Sequence, residues 1–66
     1  MSVAKVIELS SESTQSFEDA IRSGIAEAGK SVRNMKSAWV HGQQAIVEDG
    51  KVAKFRVDLK VSFLVD

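Results

Sequence analysis

The dipeptide Asp49–Gly50 stands between two runs of alternating side-chain character, "AWVHGQQAIVE" before it and "KVAKFRVDLKVSFLV" after it. Aspartate–glycine pairs accept the positive φ angles of a two-residue turn, whose twist matches that of the strands it joins. Such a turn pairs Glu48 with Lys51 and fixes the register of the hairpin behind it. Phe55, Val57, Leu59, Val61 and Phe63 then share one face, with Val40 and Ala38 opposite them, because alternate strand residues point the same way. The other face carries Arg56, Asp58, Lys60 and Ser62, with Gln43, His41, Trp39 and Ser37 directly across. One face is apolar and requires cover. The other is polar apart from the single tryptophan, which this register sets opposite Lys60.

The cover comes from the first half of the chain. Val3 to Leu9, "VAKVIEL", is rich in β-branched residues and reads as a first strand. Ser10 to Ser13 follow as candidate helix caps, since a serine hydroxyl accepts from the free N–H groups of a first turn. Ser13 is the expected N-cap, with Ser16 followed by Asp19 as a capping-box alternative. Phe17, Ile21, Ile25, Ala28 and Val32 stack along one stripe, and the spacing predicts a helix over 14–33 that contains Gly24 and Gly29. A helix of about 20 residues spans roughly 30 Å and returns the chain to its starting end. The first two strands then run in the same direction, and the third fits antiparallel between them. The expected fold is α+β, in the order β-α-β-β, with a three-stranded antiparallel sheet ordered 1-3-2.

Sixty-six residues form a single domain, 1–66, whose core is too small to be comfortably stable alone. With no cysteine and one histidine, disulfides and the usual zinc sites are excluded, which leaves oligomerisation as the expected source of extra burial. Nine Lys+Arg balance nine Asp+Glu and are interspersed, unlike the concentrated positive charge of a nucleic-acid binder. The sequence shows neither a signal peptide nor a membrane-length apolar run, so a cytoplasmic location without membrane partners is expected. No glycine-rich phosphate loop or nucleophile motif is present. Ser37, His41 and Asp58 share the polar face, yet strand residues two apart are too widely spaced for a relay, and no enzymatic activity is expected.

The segments "KVIELSS", "EDAI" with "GIAEA", "SVRNM" and "VEDGKVAKFRVDLKVSF" together resemble the dodecin family over nearly the whole chain. The resemblance implies a sheet wrapped around one helix, with copies assembling through trimers into a hollow homododecamer. It further implies storage of flavin, riboflavin or FMN, held between tryptophans at two-fold axes. In that pattern a tryptophan begins the second strand and a glutamine lies on the third. Aligned without gaps, these positions fall on Ser37 and Arg56, and the basic residue of the family's "IRG" segment gives way to the run Gln43, Gln44, Ala45.

Trp39 lies two residues beyond Ser37, on the same face and about 6.6 Å further along the strand. Trp39, Arg56, Ser37, His41 and Gln43 are therefore the candidate ligand-binding residues, for a flavin or another planar aromatic ligand. Arg56 offers a planar donor fork but no acceptor for a ring N–H edge. The competing reading makes Trp39 a subunit contact and His41 a surface hydrogen-bonding residue. It makes Arg56, Asp58 and Lys60 an interchain charge network, and Glu8, Glu12, Glu18, Asp19 and Glu27 solvated groups. A shell binding a metal ion or another cofactor is a third class, calcium and coenzyme A being known among relatives, although no clustered oxygen-ligand motif is evident.

Overall fold

The computed structural model describes residues 3–65. Along the chain lie β1 (Val3–Ser13), α1 (Phe17–Ala28), β2 (Met35–Glu48) and β3 (Lys51–Val65). The strands form one antiparallel sheet ordered β1-β3-β2, so the most regularly alternating strand takes the centre. Asp49 and Gly50 have φ angles of 52° and 75°, the left-handed pair that a two-residue turn requires, and Glu48 pairs with Lys51.

The helix lies on the apolar face. Val57, Leu59 and Val61 of β3 are fully buried together with Ala20 of α1. Phe17 meets Phe55 edge to face at 5.0 Å, while Ile7, Leu9, Ile21, Ile25, Met35, Ala38 and Val40 close around the centre. This core is narrow, since Leu59 is the largest side chain within it that is wholly shielded from solvent.

Element boundaries depart from the sequence expectation at both ends of the helix. β1 continues past Leu9 to Ser13, although serines form strands poorly. Its outward residues Ser10 and Glu12 pair with Asp58 and Arg56 of β3, and its inward Ser11 lies beneath the helix. At that crossing a Cβ on Gly24 would come within 2.9 Å of the Ser11 Cβ, so a small residue is needed on each side. Ser13 is thus not the N-cap. It ends β1 opposite Phe55, donates to the Asp19 carboxylate at 2.6 Å and accepts from the Gln15 N–H at 2.9 Å. Ser16 is the cap, its hydroxyl accepting from the Asp19 N–H at 2.9 Å.

At the other end α1 stops at Ala28 rather than Arg33. The Ala28 carbonyl accepts from the N–H groups of both Ser31 and Val32, closing a final turn, and Asn34 with φ 60° directs the chain into β2. Val32 remains half-buried without being helical. Twelve helical residues cover about 18 Å, much less than the 51 Å long axis of the molecule. Beyond the Ser13–Phe55 pair the sheet has only β2 and β3, which continue as a two-stranded arm carrying the exposed pair Val47 and Val52 near the turn.

The hairpin register is interrupted, which alters the faces expected for β2. Val47 pairs with Val52 but Ile46 pairs with Lys54, so Ala53 is an extra residue on β3. Gly42 pairs with Asp58 but Val40 with Leu59, so His41 is an extra residue on β2. These two shifts cancel, and Trp39 faces Lys60 as expected from the turn; a third, between Met35 and Ser37, lies beyond it and leaves Lys36 as an extra residue on β2. Between the Ala53 and His41 shifts the pairing moves by one residue. Gln44, not Gln43, lies opposite Arg56, while Gln43 lies opposite the buried Val57 on the helix side.

Candidate functional site

The sheet face away from the helix carries the candidate residues. Trp39 projects from β2 with 64% of its surface exposed, outside the core of its own chain. Beside it, Ser37 and Ser62 join their hydroxyls at 2.6 Å across the β2–β3 ladder. Lys60 places its ammonium 5.3 Å from the indole centroid and 3.7 Å from the Glu8 carboxylate of β1. An ammonium over an exposed indole gains about 0.5–1 kcal/mol from the negative face of the ring. Val6 and Glu8 of β1 complete a depression of about 520 Å³ whose remaining lining is Ser37, Trp39, Lys60 and Ser62. A volume of this order is typical of small-molecule sites, and an open aromatic wall beside hydroxyls and a cation suits a planar ligand with polar edges.

His41 keeps its place on this face despite the bulge, with its ring 6.1 Å from the indole and inclined by 55°. It borders a second depression with Glu8, Leu9, Ser10 and Asp58. Its expected pairing with Asp58 is replaced by that of Gly42, whose lack of a side chain leaves room for the Asp58 carboxylate, Oδ2 lying 2.9 Å from the Cβ position. Asp58 instead accepts from the Ser10 hydroxyl at 2.7 Å. The hydroxyl and carboxylate of the trio Ser37, His41 and Asp58 are therefore engaged with Ser62 and Ser10.

Arg56 and Gln43 stand apart from the indole. Arg56 lies four residues along β3 from Lys60, roughly 13 Å at strand spacing. Both its Nε, at 2.8 Å, and its Nη2 donate to one carboxylate oxygen of Glu12 on β1. Lys54 adds a second cation 3.7 Å from the other oxygen. Hydrogen bonding from Arg56, reinforced by the charges of Arg56 and Lys54, holds the Glu12 carboxyl below its usual range against a smaller opposing effect of desolvation. Two donors expected to be available for a ligand are thus occupied within the subunit. The charged row Arg56, Asp58, Lys60, read from sequence as an interchain network, finds its partners Glu12, Ser10 and Glu8 on β1 of the same chain.

Sequence reasoning missed Val6 and Glu8 as walls of the depression and Glu12 as the partner of Arg56. A signal for the charge pairs was present: "ELSSE" carries Glu8, Ser10 and Glu12 at alternate positions, complementary in antiparallel order to Lys60, Asp58 and Arg56. Reading β1 only to Leu9 concealed it. Glu18 and Glu27 are exposed as expected, beside Arg22 and Lys30 respectively, whereas Asp19 is engaged by Ser13 and Ser16. Among the described residues, no group of three or more His, Asp or Glu side chains is arranged to hold a metal ion. No helix among them is long and apolar enough to cross a membrane.

The family model for dodecin matches residues 3–66. The chain belongs to the dodecin family. Solved dodecins share its fold. Dodecin from Streptomyces davaonensis is 28% identical, with a TM-score of 0.93 over 98% of this chain and 96% of its own. A Thermus thermophilus dodecin with a tryptophan-to-phenylalanine substitution is 27% identical, with a TM-score of 0.93 over 100% and 98%. Calcium dodecin from Mycobacterium tuberculosis, a calcium-chelating antigen with a novel calcium-binding site, is 31% identical, with a TM-score of 0.85 over 97% and 91%. Among curated proteins, none matches the chain by sequence. The likeness extends to the order of elements and of strands.

Proposed function

We propose that this dodecin is a binding and storage protein for a planar aromatic ligand, a flavin such as riboflavin or FMN, stacked against Trp39 where two copies of the chain meet. The observation that carries this reading is the exposed indole, standing over a depression floored by Lys60 and Ser62. Stacking against the ring supplies affinity, since a flat aromatic surface near a two-fold axis faces its own symmetry mate and leaves a slot between them. The Ser37 and Ser62 hydroxyls can donate to or accept from the polar edge of the ligand, and Lys60 can donate to a carbonyl or an anionic group. His41 borders the indole and would form one side of the slot. Bound flavin brings its own redox chemistry; the residues of this chain orient and shield it. Arg56 and Gln43 have no part in this site.

The engagement of Ser37 with Ser62, and of Asp58 with Ser10, supports binding rather than catalysis. A cytoplasmic homododecamer is the form in which we expect the protein to act, with neither nucleic acid nor membrane as partner. A second reading, a calcium-binding shell without flavin, is favoured only by the similarity to calcium dodecin.

The deciding measurement is titration of riboflavin and FMN with the protein, followed by flavin fluorescence. Quenching at micromolar protein, lost in Trp39→Ala while the assembled mass is kept, is the expected result. Absence of quenching by the native protein removes flavin storage. Loss of assembly in Trp39→Ala identifies the indole as a subunit contact instead.

A further inference from the structure

The depression beside Trp39 has one wall on β2, another on β1 and a floor on β3, so a ring laid against the indole must meet Lys60. The Lys60 ammonium stands over the indole, and its pairing with Glu8 is loose, at 3.7 Å to a largely exposed carboxylate. The nearby cations of β3 are placed differently, because Arg56 and Lys54 both face Glu12. Lys60 is therefore the cation positioned to respond to what enters the slot.

We propose that Lys60 is the specificity-determining residue of the Trp39 site, selecting planar aromatic ligands that carry a phosphate or carboxylate over neutral ligands with the same ring. This inference rests on the planar-ligand reading given above. A ring stacking on the indole displaces the ammonium from the aromatic face and removes its attraction to the ring quadrupole. A ligand anion replaces that attraction with a hydrogen bond between two charged groups, whereas a neutral ligand offers the ammonium a ring carbonyl at most, beside its loose contact with Glu8. Glu8 acts in the opposite sense: its carboxylate offsets part of the Lys60 charge and repels an incoming anion. The discrimination is set by the balance of these two residues.

Riboflavin and FMN test this directly because they share one ring system and differ by a phosphate. At low salt the native protein should bind FMN roughly five-fold more tightly than riboflavin, and the preference should shrink as ionic strength rises. Lys60→Met keeps most of the aliphatic stem and removes the charge; it should abolish the preference, the ratio of the two affinities falling to about one, at any ionic strength. Glu8→Gln should enlarge the preference. Equal affinity of the native protein for the two flavins at low salt, or a preference unchanged in Lys60→Met, overturns the assignment while leaving flavin storage intact. If neither flavin is quenched by native protein, the storage reading fails and the role of Lys60 falls with it.

Discussion

Gly24 shows how much a single absent atom contributes to this fold. A Cβ at this position would meet the Ser11 Cβ at 2.9 Å and Leu59 Cδ1 at 3.3 Å, and the Ser11 atom is attached directly to a strand backbone that cannot swing aside. Overpacking of this kind costs about 1–3 kcal/mol, whereas the gain in helix propensity from glycine to alanine is only about 1 kcal/mol. Gly24→Ala should therefore lower stability by up to about 2 kcal/mol, read from the urea midpoint, and Ser11→Gly in the same chain should recover part of the loss. A Gly24→Ala protein more stable than the native one by the full helix-propensity gain of about 1 kcal/mol would mean that α1 does not rest on β1 here. The sequence places Gly24 inside the helix without distinguishing close packing from mere tolerance; the position of Ser11, thirteen residues earlier, separates the two.

The β2–β3 hairpin is the element that sequence describes best, and also the one it misdescribes in part. Its turn is local chemistry: Asp49 and Gly50 both have positive φ, and a Cβ at Gly50 would have nothing within 4 Å. Gly50→Ala should thus cost about 1–2 kcal/mol from backbone strain alone, visible as a lower thermal midpoint, since side-chain crowding contributes nothing at that position. An unchanged midpoint would show that the arm is not held by its turn. The bulges at Ala53 and His41 were not legible, because each depends on residues brought across the ladder. The space above Gly42 is filled by an Asp58 carboxylate that is itself bonded to Ser10, on the far side of β3. Parity counted from the turn consequently holds at Trp39 and fails at Gln43.

The whole molecule is long and thin, 51 × 19 × 14 Å, and its helix covers one face of the sheet for part of its length. Val6, Val47, Val52 and Trp39 remain more than half exposed, and the arm near the turn has no third strand. Two-stranded ribbons are marginal in water and exposed apolar side chains favour contact with other chains, so a lone subunit is poorly stabilised. Light scattering should give a particle of about 86 kDa for twelve copies of the 7.2 kDa chain, or about 22 kDa if assembly stops at a trimer. A mass of 7.2 kDa at micromolar concentration would contradict assembly as the source of stability.

The sequence by itself determined the order of elements, the antiparallel sheet with β3 at its centre, the tight turn, the buried face of β3 and the outward direction of Trp39. These follow from period-two alternation and turn chemistry, which act between near neighbours along the chain. Tertiary structure decided the length of β1 and α1, the cap at Ser16 rather than Ser13, the two bulges that separate Gln43 from its expected face, and the pairing of Arg56 with Glu12. Each of those depends on whether distant side chains fit or bond, as when Ser10 reaches Asp58 across 48 residues of sequence. The surroundings of Trp39 belong to the second group: its direction was set by counting from a turn, its neighbours only by the closing of β1 against β3.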